Sequence, residues 1–138
     1  MNRRQPTSMS RRRFLGSFGV AAAGLAALPI IAACDDGGRH VVQMTTGYKF
    51  EPAALTIPKG DTVTWLNNDS QTHTVVDDPS KSVGELEGLL PQGAKVFDSG
   101  DVHPGNSWSH RFDTPGRYVY FCRIHADRQM LGTIFVTD

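Results

Sequence analysis

From Val41 to the C-terminus the apolar residues recur at nearly every second position, in short runs punctuated by glycine, proline and aspartate. A side-chain period of two belongs to strands with one buried face, and it restricts this stretch to sheet architectures. Val41 to Thr45 reads as a first strand. Leu55 and Ile57 lead through the Pro58-Lys59-Gly60-Asp61 turn into Thr62 to Asn67, where Val63 and Trp65 alternate with threonines. His73 to Val76 is the next strand. Ser107 to Asp113 places Trp108, His110 and Phe112 on one face. Gly116 to Cys122 places Tyr118, Tyr120 and Cys122 on one face and Val119 and Phe121 on the other, and Leu131 to Thr137 closes the domain. The one helical candidate, Val83 to Leu90, is a turn or two at most, weakened by Gly84 and Gly88. Short strands separated by turn signals describe an all-β antiparallel sandwich or barrel.

Between the last two strands lies a loop rich in soft and nitrogenous ligands. Cys122, His125 and Met130 follow one another at a C-x₂-H-x₄-M spacing, and His73 stands far upstream, where a distant strand can bring it across the fold. A thiolate, two imidazoles and a thioether are the ligand list of a blue-copper electron-transfer site, a His₂Cys plane with a weak axial Met. Soft Cys and Met suit Cu(I) and imidazole also suits Cu(II), so a mixed site need change little when its charge changes. Each residue alone has a plainer reading: Met beside Cys as core packing, His as a hydrogen-bonded or solvated group. A zinc site would use Cys and His without Met, normally with a second paired motif. The chain has only two cysteines, Cys34 and Cys122. A Cys-His catalytic pair would activate the thiol, but the papain-type signature around the cysteine is absent.

The formal net charge of +0 conceals two unlike pieces. Before Cys34 the charged residues are all arginines: Arg3, Arg4, Arg11, Arg12 and Arg13. From Cys34 onward nine Lys/Arg face 14 Asp/Glu, a net charge of −5, which argues against a nucleic-acid partner and mildly favours a basic protein partner. Ser10-Arg11-Arg12-Arg13-Phe14-Leu15 looks like a twin-arginine export signal. The Ala-rich apolar run from Phe14 to Ala33 is broken by Gly16, Gly19, Gly24 and Pro29, which suits a signal h-region better than a membrane-spanning helix. Ile31-Ala32-Ala33-Cys34 resembles a bacterial lipobox, in which cleavage leaves Cys34 as a lipid-bearing N-terminus. The alternative is ordinary cleavage nearby, with Cys34 a spectator. Residues 1–33 are thus expected as a signal peptide, 34–39 as a lipidated tether and 40–138 as the folded domain. With Cys34 lipidated, Cys122 is a lone thiol in an oxidising compartment, where a bound metal protects it from oxidation.

Taken together, these residues give the domain a resemblance to the small cupredoxins of the plastocyanin, amicyanin and pseudoazurin type. In the N-terminal half it rests on Phe50-Glu51-Pro52, Leu55-Thr56-Ile57, Gly60 to Trp65 and His73-Thr74-Val75. In the C-terminal half it rests on Phe112, Pro115-Gly116-Arg117-Tyr118, Tyr120, Cys122, His125, Met130 and Gly132 to Val136. The resemblance implies a Greek-key β-sandwich with one copper at one end, held by His73, Cys122, His125 and Met130. It also implies a backbone hydrogen bond from Thr74 to the Cys122 sulfur, where many relatives have Asn at the Thr74 position. Multicopper oxidases and copper nitrite reductases place a His beside the thiolate ligand, whereas here its neighbours are Phe121 and Arg123.

A one-electron carrier follows, not an enzyme: a type 1 copper protein working between extracytoplasmic partners such as a cytochrome or an oxidoreductase. It would dock transiently near His125, on a rim to which Ile124, Ala126, Leu131 and Pro104 are candidates. The clusters Asp77-Asp78, Glu85/Glu87 and Asp98/Asp101 are read either as steering charges or as a solvated loop. The expected location is exported, in the periplasm or on the outer face of the cytoplasmic membrane, as a lipid-anchored monomer. Two alternatives stay open. One is a copper storage or delivery protein. The other is a metal-free immunoglobulin-like binding domain, suggested by a tyrosine-corner pattern from Asp113 to Tyr118. His40, His103 and His110 are read as structural or solvated.

Overall fold

The computed structural model describes residues 38–84 and 87–138. The signal segment, Cys34 and most of the expected tether lie outside the described residues. The strands are β1 (Arg39–Thr45), β2 (Lys49–Glu51), β3 (Ala54–Pro58), β4 (Thr62–Asn67), β5 (Val76–Asp77), β6 (Phe97–Asp98), β7 (Ser107–Arg111), β8 (Gly116–Phe121) and β9 (Leu131–Thr137). They form two sheets, β2-β1-β4-β7 and β3-β9-β8-β5-β6, an all-β sandwich. β1 begins at Arg39, the last residue of the expected tether, and the Gly38 N–H donates to Asp61 Oδ1 at 2.7 Å.

The inward-facing residues are those that the period of two selects. Val42 and Met44 of β1, Val63 and Trp65 of β4, Ile57 of β3, Tyr118 and Tyr120 of β8 and Ile134 and Val136 of β9 are all buried in one cluster. Burying each large apolar side chain contributes roughly 1.5–3 kcal/mol. Trp65 and Phe50 each meet Tyr120 edge-on, at ring separations of 5.2 and 4.8 Å, a favoured geometry for aromatic pairs. Tyr118 Oη donates to the Thr114 carbonyl at 2.6 Å, so the tyrosine-corner contact is present within a two-sheet fold that has no inter-sheet disulfide among the described residues, Cys122 being free.

Three local expectations are corrected. The sandwich is mixed and not purely antiparallel: β1 pairs parallel with β4, Arg39 opposite Thr62 and Met44 opposite Asn67, and β3 pairs parallel with β9. The chain crosses to the second sheet at β3 and returns at β4, so β4 runs beside β1 in the same direction. Side-chain alternation reports the buried face and is blind to the partner's direction. The stretch His73 to Val76 is strand only at its end. His73 makes an isolated bridge to Val102, while the Thr74 and Val75 N–H groups go to Cys122 Sγ and Ser99 Oγ, so the ladder is interrupted.

The described part of the Val83–Leu90 stretch is not helical. Gly84 takes a left-handed conformation (φ 62°), and Leu89 exchanges both backbone hydrogen bonds with Val119 of β8. What helix there is among the described residues consists of two single 3₁₀ turns, Pro79–Lys81 and Ala126–Arg128.

Candidate metal centre

Three of the residues singled out in the sequence meet at one end of the sandwich. His73 comes from the loop after β4, Cys122 directly follows β8, and His125 precedes the 3₁₀ turn Ala126–Arg128. Cys122 Sγ lies 3.8 Å from His73 Nδ1 and 3.5 Å from His125 Nδ1, and the two Nδ1 atoms are 3.1 Å apart. His73 and Cys122 are fully buried, while His125 is half-buried and reaches the surface.

The loop that carries Cys122 and His125 is closed by its own backbone. The Cys122 N–H donates to the Met130 carbonyl at 2.9 Å, the Arg128 and Gln129 N–H groups donate to the His125 and Ala126 carbonyls, and Gln129 turns left-handed (φ 54°). This returns the chain so that Met130 is fully buried in the same cluster as Cys122. On the other side of the sulfur stands Thr74. Its N–H donates to Sγ at 3.3 Å and its hydroxyl at 3.8 Å, and the hydroxyl oxygen accepts from the Arg123 N–H at 2.8 Å. Two donors aimed at one sulfur suit a charged thiolate better than a neutral thiol.

Three neighbours were not singled out in the sequence. Asp69, buried, brings Oδ2 within 3.0 Å of His73 Nε2 and accepts the Ser70 N–H on Oδ1 at 2.6 Å. Burial alone would raise its carboxyl pKa, but the His73 and Ser70 hydrogen bonds outweigh that and hold it below the usual carboxylate range. Asn67, fully buried at the end of β4, donates to the Gln71 and Val102 carbonyls and accepts the Asp69 N–H. Tyr48, at the tip between β1 and β2, packs its ring 4.7 Å from that of His125, and the Arg128 guanidinium lies 5.2 Å from the Tyr48 ring centre. In the sequence Asn67-Asn68-Asp69-Ser70 carries only a turn signal. The one hint of a role is Asp69 standing four residues before His73. Partial burial, followed by the neighbouring His73, holds the His125 pKa below the ordinary histidine value.

The remaining histidines lie apart from this cluster. His40 is not simply solvated, because its Nε2 sits 2.7 Å from Asp61 Oδ2. His103 Nδ1 is 3.0 Å from Thr72 Oγ1 at the surface. His110 stacks on Trp108 and packs against Phe97, and burial lowers its pKa. Glu87 and Asp101 are exposed, but three of the acidic residues are neither steering charges nor freely solvated. Asp77 is fully buried, Asp78 caps the Pro79–Lys81 turn, and Asp98 is shared between Lys81 at 2.8 Å and Arg123 at 3.6 Å. Glu85 lies outside the described residues. Of the expected rim, Ile124 and Pro104 are exposed, Ala126 packs on Val76 and Phe121, and Leu131 lines a cleft with Leu89, Arg117 and Val119.

The donor set fits copper. One sulfur and two imidazole nitrogens, all within 4.8 Å of one another, converge on a common point, and the softness of the set matches a metal that cycles between Cu(I) and Cu(II).

Comparison with known proteins agrees. The family model for copper binding proteins of the plastocyanin/azurin family matches residues 39–137. A plastocyanin from Scenedesmus fuscus is 42% identical over 91 residues, covering 63% of this chain and 85% of that protein. A putative pseudoazurin from Rhizobium leguminosarum bv. viciae is 36% identical over 118 residues, covering 82% of this chain and 70% of the relative. Among solved structures, a purple cupredoxin from Nitrosopumilus maritimus superposes with a TM-score of 0.55 at 27% identity, over 71% of this chain and 99% of that one.

Proposed function

Because the chain belongs to the plastocyanin/azurin family of copper-binding proteins, we propose that it is a type 1 copper protein carrying single electrons between extracytoplasmic redox partners. The observation that carries this reading is the convergence of His73 Nδ1, Cys122 Sγ and His125 Nδ1 at the end of a rigid two-sheet core. Met130, returned to the core beside Cys122, is assigned as the weak axial ligand, and Thr74 as the donor that steadies the sulfur. When bound, copper supplies a one-electron couple.

The protein's part is to hold its donors in nearly one geometry for both oxidation states. The closed Cys122-to-Met130 loop and the backbone bridge between His73 and Val102 supply that constraint. Burial of His73 and Cys122 excludes water from the sulfur side. His125, half-buried under Tyr48, is the ligand presented to a partner, with Ile124 exposed beside it. A small apolar contact of this kind suits a complex that forms and separates quickly. The chain is a carrier and not an enzyme, having one ligand set and Phe121 and Arg123 on either side of Cys122. Copper storage would favour open, Met-rich sites, but beyond the signal the chain has only Met44 and Met130, both fully buried.

We extend the reading to the N-terminus: residues 1–33 direct export, and Cys34 carries lipid that tethers the monomeric copper domain to the membrane. Its partners would be redox proteins held in or near that membrane.

The test is an absorption spectrum of the copper-loaded protein, with Cys122→Ser beside it. An intense visible band that disappears in a still-folded Cys122→Ser variant is the expected result. The readout is the band's intensity and its dependence on sulfur, not its hue. A pale wild type would point to labile copper and remove the carrier reading.

A further inference from the structure

We propose that Asp69 is a positioning residue for the copper site. Its carboxylate sets the tautomer of His73, aims the ring, and places a negative charge behind it that favours the more oxidised metal. This inference rests on the copper reading above and deepens it.

The contact is buried on both sides: the His73 side chain is 0% exposed and that of Asp69 is 3%. Asp69 Oδ2 lies 3.0 Å from His73 Nε2, while Oδ1 accepts the Ser70 N–H at 2.6 Å and makes a longer contact, 3.4 Å, with the Ser70 hydroxyl. Both oxygens are therefore used as acceptors, as in an ionised carboxylate. A group that only accepts requires a proton on Nε2. In a neutral imidazole the lone pair then falls on Nδ1, the atom that faces Cys122 and His125. Were the tautomer reversed, Nδ1–H would point into the metal position and Nε2 would present a lone pair to an anion.

The carboxylate is itself held. The Asp69 N–H donates to Asn67 Oδ1 at 2.9 Å, and Asn67 Nδ2 donates to the Val102 carbonyl at 2.8 Å. Val102 in turn exchanges backbone hydrogen bonds with His73. The chain of contacts runs from the His73 ring through Asp69, Asn67 and Val102 back to the His73 backbone. A closed circuit of this kind fixes both the position and the rotation of the ring, as carboxylates behind metal-bound histidines do.

Charge is the second effect. Among the described residues Asp69 forms no ion pair with Lys or Arg; its side-chain partners are the His73 ring and Ser70. In a water-poor site, an anion balanced only through the imidazole stabilises the higher metal charge. The two histidines are thus unequal: His73 is buried and backed by a carboxylate, and His125 is half-exposed and packed on Tyr48.

The decisive measurements separate orientation from charge. Nitrogen-15 NMR of metal-free wild type at about pH 8, where imidazole is mostly neutral, should show His73 protonated on Nε2. A proton on Nδ1 overturns the assignment and needs no variant that folds. Copper-loaded Asp69→Asn keeps an acceptor but loses the charge. It should lose on the order of tenfold in preference for Cu(II) over Cu(I), a rise in potential of about 59 mV for one electron, and in its metal-free form it should keep the Nε2–H tautomer. Asp69→Ala should raise the potential when copper-loaded and lose the fixed tautomer when metal-free. An intense thiolate band with an unchanged potential in Asp69→Asn would overturn the role of Asp69 alone. A wild type without that band would instead overturn the copper reading on which it rests.

Discussion

Asp77 offers the sharpest thermodynamic test of this structure. It is fully buried at the end of β5, and neither carboxylate oxygen has a hydrogen-bond partner among the described residues. A Cβ on Gly88 would lie 2.8 Å from Asp77 Oδ1, so the backbone there is pressed against the carboxylate and leaves no room for a side chain. Burial, and secondarily the negative charge of Asp78, push the Asp77 pKa from 3.8 to about 8. The folded state therefore prefers the protonated acid. Below about pH 4 both states are protonated and there is no penalty. Between about pH 4 and pH 8 the unfolded chain releases its proton while the folded chain keeps it, so stability falls as pH rises, and above about pH 8 the loss is complete.

Raising the pKa from 3.8 to about 8 corresponds to an upper limit of about 5–6 kcal/mol. Relaxation of the surroundings around an ionised carboxylate would offset part of that, leaving about 2–3 kcal/mol as the expected size. The assay is urea unfolding of wild type and Asp77→Asn across about pH 4.5 to 8.5, taking the difference between the two so that titrations common to both cancel. The Asn variant should gain on wild type steadily as pH rises, and should be the more stable protein near neutrality. A difference that stays flat with pH, or a variant that loses ground toward high pH, would refute a buried and unpartnered Asp77.

Met130→Gln should keep the copper but lower its reduction potential, because a harder oxygen ligand favours Cu(II); voltammetry with no change would leave Met130 a packing residue. Gly132→Ala should cost roughly 2–3 kcal/mol in denaturant unfolding, since the new Cβ would collide with Tyr120 Oη and the ring is fully buried and unable to swing away; an unchanged midpoint would mean that the β8–β9 contact is looser than described. Cys34→Ala should move the protein from the membrane to the soluble extracytoplasmic fraction without altering the copper spectrum, because stable anchoring takes more than one acyl chain and lipoprotein lipid supplies it; a wild type already wholly soluble would end the lipid claim.

Features that repeat along the chain, or that sit within a few residues of one another, were legible without coordinates. The alternation of Val63 and Trp65, and of Tyr118, Tyr120 and Cys122, designates the buried face because a strand turns each successive side chain over. The C-x₂-H-x₄-M loop discloses its chemistry because the three side chains are held near one another by a short backbone, and the rarity of that mixture pointed to His73 as the missing donor.

What the sequence could not decide depends on which distant segment lies alongside. The parallel pairing of β1 with β4 follows from where the chain crosses between sheets, which leaves no trace in the period of two. Asp77 and Asp78 are chemically identical neighbours, yet one ends β5 in the buried interior and the other caps the turn that follows it. Tyr48 reaches His125 from 77 positions earlier in the chain. The carboxylate behind His73 is near it in sequence, but only the sandwich desolvates the pair, through Asn67 at the end of β4 and Val102 in the segment before β7. The local code thus chose the candidate ligands, and the tertiary packing chose their surroundings and exposure, because those depend on burial and burial is a property of the assembled sheets.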